Sequence, residues 1–289
     1  MDVLGYLLAN DEFVAGEAPG MPDPVWLGAR MAALYRCWDG PAGIDLASVT
    51  AGFLRRLNSL DAPIGHTCLQ VAAAVAHWGG HDFHSARHHA EVATNAMVIT
   101  ELADRAGAAF PLQQRALLLA SCLGHDIYYQ LKADPAPRFS AEAHSASALD
   151  DIAARCRLDA RERAALRCLI LATEPGFRTC LAALLEGAAS GDMPDGLDAL
   201  ASHPDLAALA GVLSDADLLS SAGLTEDWHK MQLGRLQREL GCEISPEEDL
   251  RFFDTVIGVD FLSRGGRVFS PNLARIRLSV LHAAISFRQ

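Results

Sequence analysis

Hydrophobic and polar residues follow one another along most of the chain with the spacing of amphipathic helices. Glycine, proline and capping residues punctuate this pattern and set the ends of the predicted helices. Residues 1–24 indicate a short helix and a loop. The predicted helices that follow span residues 25–38, 45–60, 66–78, from 81–85 to about 106, 111–124, 141–156, 160–173, 225–240, 246–262 and 270 onward. No segment has a convincing strand pattern, so the sequence predicts an all-α fold.

Two of these helices begin with a strong sequence signal. Ser245, Pro246 and Glu248 combine an N-cap serine, a proline at the first helical position and a glutamate three residues after the cap. Asp159 and Glu162 offer the same capping-box pattern. Both signals predict a helix start at a defined residue.

Two stretches between the helices indicate irregular structure. Residues 130–139 contain two prolines and mixed charge, and residues 187–204 are rich in Gly, Asp, Ser and Pro. Ser140 follows the first stretch and is predicted as the N-cap of the next helix. The second stretch is predicted as a long loop or insertion.

The most apolar predicted helix ends in two polar residues. Residues 117–123 are nearly all apolar, and His125 and Asp126 follow them directly. A buried aspartate is costly unless it is paired or bound to a cation. Histidine and carboxylate are good ligands for divalent first-row metals. The pair alone is also compatible with a core histidine and a capping aspartate.

Two further stretches place ligand-type residues in apolar helical contexts. Within residues 83–92, His84, His88 and Glu91 fall on one helical face. Within residues 212–223, Asp215 and Asp217 interrupt an apolar segment. A helix points these two aspartates about 200° apart, so only one of them is expected to face a given metal.

The order His, then His-Asp, then Asp resembles the HD superfamily of metal-dependent phosphohydrolases. Residues 83–92 are also similar to the cyclic-nucleotide phosphodiesterase segment Y-H-N-x-x-H-A-x-D-V, with departures at Ser85 and His89. Residues 216–223 resemble the A-D-x-L-x-x-x-G segment of small bacterial HD hydrolases, which favours Asp217 over Asp215. The resemblance implies one metal held by four residues on separate helices: His88, His125, Asp126 and Asp217.

The resemblance covers roughly residues 80–223. It implies an HD-domain helical bundle with additional N- and C-terminal helices. The expected organisation is a helical layer at 1–79, the metal-binding domain at 80–223, and C-terminal helices at 224–289 packed on the same core.

The same resemblance implies a reaction and its participants. The expected activity is hydrolysis of a phosphomonoester or phosphodiester, nucleotide-like, by water that a divalent ion activates. The ion is expected to be Mn, Fe, Zn, Ni or Mg, with one ion or two. His84 and Asp126 are the expected catalytic residues, His84 as the proton donor and Asp126 as the bridging ligand. The expected substrate contacts are Arg87, His89, His144 and Lys132.

The amino-acid composition restricts the classes of molecule that the protein is expected to bind. The formal net charge is −12, and the 24 Lys and Arg residues are not clustered, which argues against a nucleic-acid surface. The expected partner is a small-molecule phosphate ester, and a homodimer stays open. Seven scattered cysteines without a C-x-x-C pair indicate reduced thiols and a cytoplasmic protein. The N-terminus does not resemble a signal peptide, and no apolar run has the length of a membrane span.

Two other functions stay open at this level. An HD-type di-iron oxygenase shares the ligand order but needs extra histidines, for which His144 with His203 or His229 are the candidates. A non-catalytic, metal-bearing signalling module is the other alternative, with the C-terminal helices contacting a partner. The identity of the substrate does not follow from the sequence.

Overall fold

A computed structural model describes residues 2–8, 21–39, 43–77, 81–127, 137–188 and 193–287. Helices dominate these residues and none of them forms a strand, which confirms the all-α prediction. The α-helices are α1 Val3–Leu8, α2 Pro24–Cys37, α3 Leu46–Arg56, α4 Pro63–His77, α5 Ala86–Arg105, α6 Leu112–Gly124, α7 Ser140–Arg155, α8 Ala160–Leu171, α9 Arg178–Leu185, α10 Asp198–Ser202, α11 Pro204–Ala222, α12 Glu226–Leu240, α13 Pro246–Phe252 and α14 Ser270–Phe287.

Helices α5, α6 and α11 form the centre of the bundle. The most extensive helix contact joins α11 to α5, and α6 packs against both of them. Nearly every residue of α5 from His88 to Ala103 is buried, as are Arg115 to Gly124 in α6. Helices buried on all sides belong to the interior of a bundle. The predicted ligands lie in α5 and α11 and directly after the end of α6, so the core of the fold also positions the site.

Local capping explains several helix starts. Ser245 with Glu248 and Asp159 with Glu162 form complete capping boxes, which confirms both predicted signals. Thr225 accepts a hydrogen bond from the Trp228 backbone N–H and starts α12. These caps satisfy N–H groups that have no partner within their own helix.

Several predicted helix boundaries differ from the structure. The helix expected over 246–262 ends at Phe252, continues as a π-helical turn over Phe253–Ile257, and stops at Gly258 with a φ of +77°. Glycine accepts this left-handed conformation without a steric penalty. Ser140 is the first residue of α7 rather than its N-cap, and Phe139 holds the cap position.

The two predicted loops are described only in part. Residues 128–136, which include Lys132, lie outside the described residues, as do residues 189–192. The expected insertion at 187–204 contains the short helix α10 (Asp198–Ser202), so this stretch is not wholly irregular.

Among the described residues, no single helix combines the length and the hydropathy that crossing a membrane requires. Two pairs of consecutive helices, each pair with a sharp bend between its members, meet the criterion only when the two helices are taken as one segment. These pairs are Ala160–Leu171 with Pro175–Leu185, and Pro204–Ala222 with Glu226–Leu240.

A buried ion pair ties α11 to α9, and hydrogen bonds to the same carboxylate tie α11 to the segment after α13. Arg178 Nη2 lies 2.9 Å from Asp215 Oδ1, and both side chains are at most 5% exposed. The Asp215 carboxylate also accepts hydrogen bonds from the backbone N–H groups of Leu262 and Ser263 and from the Ser263 hydroxyl. Asp215 is therefore an anchor of the fold.

Replacing Asp215 with alanine should lower the free energy of unfolding by about 3–5 kcal/mol, because it leaves the buried Arg178 without its counter-charge. Urea denaturation of the metal-free protein measures this. The control is Asp150→Ala, which breaks a surface pair with Arg163 in which both side chains are at least 30% exposed. Its cost should stay below about 1 kcal/mol. Similar losses in both variants would contradict the anchoring role.

Candidate metal centre

The end of α6 delivers His125 and Asp126 to the centre of the bundle. His125 is 1% exposed. Its Nδ1 lies 2.9 Å from the carbonyl oxygen of Cys122, one turn back. A carbonyl only accepts, so Nδ1 carries the proton in this hydrogen bond. The lone pair of Nε2 is then directed away from the helix, as in a metal-binding histidine.

Helices α5 and α11 bring two more ligand-type atoms to His125 Nε2. His88 Nε2 lies 3.2 Å from it, and Asp217 Oδ1 lies 3.5 Å from it. His88 Nε2 and Asp217 Oδ1 are 3.3 Å apart. Asp126 Oδ2 lies 3.2 Å from His125 Nε2 and 3.9 Å from His88 Nε2. The structure therefore brings together all four predicted ligands.

The spacing of these atoms fits a bound cation. Ligand atoms about 2.1 Å from one ion at tetrahedral angles stand about 3.4 Å apart. The ligand atoms of His88, His125 and Asp217 all lie within 4.8 Å of one another. Two imidazoles and two carboxylates form a donor set suited to divalent first-row metals. These residues therefore fit the metal that the fold implies.

The charges around these four residues favour the binding of a metal ion. Burial raises the pKa of Asp217, but the imidazoles of His125 and His88 outweigh it and hold that pKa well below its usual range. Burial likewise raises the pKa of Asp126, and the imidazoles of His125 and His84 outweigh it. Burial lowers the pKa of His88. Burial also lowers the pKa of His125, but the carboxylates of Asp126 and Asp217 outweigh it and raise that pKa well above its usual range. A metal requires ionised carboxylates and neutral imidazoles, so its binding would displace a proton from His125.

The two aspartates of α11 have separate surroundings. Asp217 belongs to the ligand cluster and is 29% exposed at its side chain. Asp215, on the opposite face of the helix, is fully buried in the ion pair with Arg178. This separation follows from the rotation of about 200° over two helical residues.

His84 lies beside the cluster, just before α5 begins. The predicted helical relation to His88 does not hold, because α5 starts at Ala86, yet the two rings are 5.8 Å apart between centroids. His84 Nε2 lies 3.8 Å from Asp126 Oδ2. His84 Nδ1 lies 2.5 Å from Glu239 Oε1. The ring thus links a carboxylate of α12 to the ligand cluster.

Glu239 binds the backbone of the segment just before α5. Its Oε2 accepts hydrogen bonds from the backbone N–H groups of Phe83 and His84, at 2.7 and 3.0 Å. Burial raises its pKa, but the bond from the His84 ring and these backbone bonds outweigh burial and lower the pKa to about 2. Its side chain is 1% exposed. Glu239 is a positioning residue for His84.

Sequence reasoning missed Glu239. It lies 155 positions after His84 in a polar stretch of α12, where a glutamate is normally solvated. The only signal was the recurrence of polar residues at Gln232, Arg235 and Glu239, which is one helical face.

That face of α12 continues into a buried polar network with α5. Glu91 is fully buried and receives Gln232 Nε2 at 2.6 Å and Arg87 Nε at 3.0 Å. Arg235 and Arg87 both pair with Asp39, at 2.5 and 2.9 Å. Burial raises the pKa of Glu91 to about 7, against the opposing effect of the two arginines. The network fixes α12, and hence Glu239, against the start of α5.

The residues that were predicted to contact the substrate lie in different surroundings. Arg87 is engaged with Asp39 and Glu91 beside the site. His89 is fully buried. His144 is exposed near the N-terminal end of α7. Lys132 lies outside the described residues.

Other candidates from the sequence lie elsewhere. His203 lines a surface groove at the N-terminal ends of α6, α8 and α11. His229 Nδ1 lies 2.6 Å from the Ser221 carbonyl, and its Nε2 lies 2.9 Å from Asp249.

Replacing Glu239 with glutamine should destabilise the protein in a pH-dependent manner. The pKa of this carboxylate is about 2 in the folded protein, against an ordinary value of 4.5. The stabilisation it provides is therefore complete above pH 4.5 and is lost as the pH falls towards 2. The stability difference between wild type and Glu239→Gln, measured by urea denaturation, should be largest near pH 6 and should shrink by pH 3. A difference that grows on acidification would contradict this assignment.

Comparison with known proteins places the fold. No protein-family model matches the sequence, and no curated protein matches it. Solved structures do match. Two are phosphodiesterase domains of the rhodopsin phosphodiesterase of the choanoflagellate Salpingoeca rosetta. One is 16% identical with a TM-score of 0.63 and covers 87% of this chain and 96% of that one. The other is 17% identical with a TM-score of 0.66 and covers 95% and 98%.

A third match is LmjPDEB1, solved in complex with IBMX. It is 15% identical with a TM-score of 0.57 and covers 100% of this chain and 98% of that one. The chain therefore has the helical fold of phosphodiesterase domains over nearly its whole length, as the resemblance to HD proteins implied.

Proposed function

We propose that this protein is a metal-dependent hydrolase that cleaves a nucleotide-like phosphodiester. The observation that carries the proposal is the convergence of ligand atoms from His88, His125 and Asp217 within 4.8 Å, with His84 beside them. His88, His125, Asp126 and Asp217 would hold the metal. When bound, such an ion activates water and offsets the charge that develops on the phosphate.

The residues of the chain supply orientation and a proton. The carboxylates of Asp126 and Asp217 are held ionised where α6 meets α11, and the buried ring of His125 is already oriented by the Cys122 carbonyl, so metal binding requires the loss of a proton but little rearrangement. Pre-organised ligands and charges lower the reorganisation that the reaction needs.

His84 is the proposed proton donor. Its Nδ1 is bonded to Glu239, and its Nε2 faces Asp126 across 3.8 Å. Glu239 offsets the positive charge that the ring carries while it holds two protons. The proton on Nε2 is then available to the oxygen that leaves the phosphate.

The named neighbours favour a phosphodiester over a phosphomonoester. Two of them are phosphodiesterase domains of Salpingoeca rosetta, and the third was solved with IBMX. The later histidines considered for a di-iron oxygenase are engaged elsewhere, because His229 is bonded to Asp249 and His203 lines a groove at the N-terminal ends of α6, α8 and α11. A signalling module without catalysis has no use for the His84–Glu239 pair.

A substrate screen tests the proposed function. Metal-reconstituted protein is assayed with cyclic nucleotides, with bis(p-nitrophenyl) phosphate and with p-nitrophenyl phosphate. We expect turnover of the diesters and much slower turnover of the monoester, in wild type and not in His125→Ala. Oxygen-dependent product formation, or monoester cleavage alone, would refute the proposal.

A further inference from the structure

The turn before α14 has the sequence Arg-Gly-Gly-Arg over residues 264–267 and packs closely against the core. A Cβ atom on Gly265 would overlap the carbonyl oxygen of Ile99 in α5, and a Cβ atom on Gly266 would collide with the Asp215 carboxylate. Glycine is the residue that allows a backbone to approach its neighbours this closely. The two glycines therefore fix the turn against α5 and α11, and with it the two arginines that flank them.

These two arginines, Arg264 and Arg267, are exposed and have no carboxylate partner among the described residues. Arg264 Nη1 donates a hydrogen bond to the carbonyl of Ala106, and Arg267 Nε donates one to the carbonyl of Phe261, each at 3.1 Å. Each bond uses one of the five N–H donors of a guanidinium and holds the group in place. The remaining donors of both side chains are available to an anion.

Both arginines line one surface cavity of about 380 Å³. This volume lies in the range of cavities that bind small molecules. Within the described lining, Glu186 is the one acidic residue, and most of the wall is apolar, with Ala103, Phe110, Leu185, Ala208 and Leu262. Two guanidiniums beside an apolar wall fit a ligand that has an anionic end and an apolar body.

The pair of charges indicates which anion fits. A phosphate monoester carries a charge of about −1.5 to −2 near pH 7, whereas a carboxylate or a phosphodiester carries a single negative charge. The planar fork of arginine also matches the oxygen atoms of a phosphate. Phe110, which is partly exposed, is the aromatic residue of the lining, and aromatic rings pack well against flat rings. A phosphate monoester with a flat organic body satisfies both parts of the cavity.

We propose that this cavity is a binding site for a nucleoside monophosphate, with the phosphate at Arg264 and Arg267 and the base against the apolar wall. The site is separate from the metal centre, because Ala103 lies about 22 Å along the axis of α5 from His88 at 1.5 Å per residue. One mononucleotide does not span that distance. The inference goes beyond the proposed function and requires neither a metal nor turnover.

The test titrates AMP into the protein in the presence of a chelator and measures binding by calorimetry. The chelator removes any metal through which a phosphate could bind where α5, α6 and α11 meet. Adenosine and inorganic phosphate are the comparison probes. Wild type should bind one AMP, and more tightly than either probe, because adenosine lacks the charge and inorganic phosphate lacks the apolar body.

The decisive variant replaces Arg264 and Arg267 together with glutamine. It should weaken AMP binding by at least about 10-fold, because hydrogen bonds from charged donors are the strong ones. The matched control replaces Arg55 and Arg251 with glutamine, since both are exposed and the net charge changes equally. The control should bind AMP as tightly as wild type.

A second variant keeps the test decisive if the double variant does not fold. Glu186→Gln removes the one acidic side chain of the described lining, so it should tighten AMP binding at low salt. No AMP bound by wild type, equal affinities for AMP and adenosine, unchanged affinity in the folded double variant, or weaker binding in Glu186→Gln would overturn the inference. Any of these results would leave the proposed function standing, because the measurement involves no metal and no hydrolysis.

Discussion

Replacing Asp217 with alanine should lower the affinity for a divalent metal by more than about 100-fold and abolish metal-dependent hydrolysis. Loss of a side chain that only orients a metal ligand typically lowers metal affinity by roughly 10- to 100-fold. Asp217 is a ligand itself, so its loss should cost more. Its Oδ1 lies 3.3 Å from His88 Nε2 and 3.5 Å from His125 Nε2. Without it, two imidazoles face each other at 3.2 Å with less opposing charge. Metal titration and metal content after dialysis measure the effect.

The control uses the same helix. Asp205 is exposed in the first turn of α11, about 18 Å along the axis from Asp217 at 1.5 Å per residue. Asp205→Ala should retain full metal content and rate. Asp215→Ala should lose stability rather than metal affinity under conditions where it is folded. If Asp215→Ala loses metal as severely as Asp217→Ala, the assignment of ligands on α11 is wrong.

Replacing His84 with alanine should retain the metal and lower the rate of phosphodiester cleavage by roughly 10²–10⁴, the usual range for general acid–base catalysis. His84 donates no ligand atom to the described cluster of His88, His125 and Asp217. Its Nδ1 is bonded to Glu239, and its Nε2 lies on the side of the ligand cluster, 3.8 Å from Asp126 Oδ2.

The leaving group distinguishes a proton donor from a structural residue. A p-nitrophenolate leaves without a proton, whereas the alkoxide of a cyclic nucleotide needs one. The rate loss in His84→Ala should therefore be much smaller for bis(p-nitrophenyl) phosphate than for the cyclic nucleotide. Glu239→Gln should show the same selectivity in weaker form, since it acts through His84. An equal loss on both substrates would indicate that His84 only supports the structure.

Much of the fold follows from local sequence signals. The helices before α8, the capping boxes at Asp159 and Ser245, and the absence of strands among the described residues were predicted from periodicity and turn residues. The end of the helix after Ser245 was not. The helix gives way to a π-helical turn that stops at Gly258, and the chain after it bonds to Asp215 through the Leu262 backbone N–H, a tertiary interaction that local patterns do not contain.

The candidate site likewise contains residues that the local sequence predicts and residues that it does not. Four ligand-type residues stand out because polar groups interrupt apolar helices, and a buried carboxylate requires an explanation. Glu239 gives no such signal, because it lies in a polar stretch of the sequence and is buried only by its contact with the segment just before α5. Local sequence also does not reveal that Arg87 is engaged with Asp39, or that His89 is fully buried.

The central claim is that phosphodiester cleavage depends on a metal held where α5, α6 and α11 meet. The most direct test is the rate of bis(p-nitrophenyl) phosphate hydrolysis by protein stripped with a chelator and then titrated with Mn²⁺. We predict no turnover in the stripped protein and recovery that follows bound metal in wild type but not in His125→Ala. Turnover that survives stripping, or that Mn²⁺ restores equally in His125→Ala, would contradict the claim.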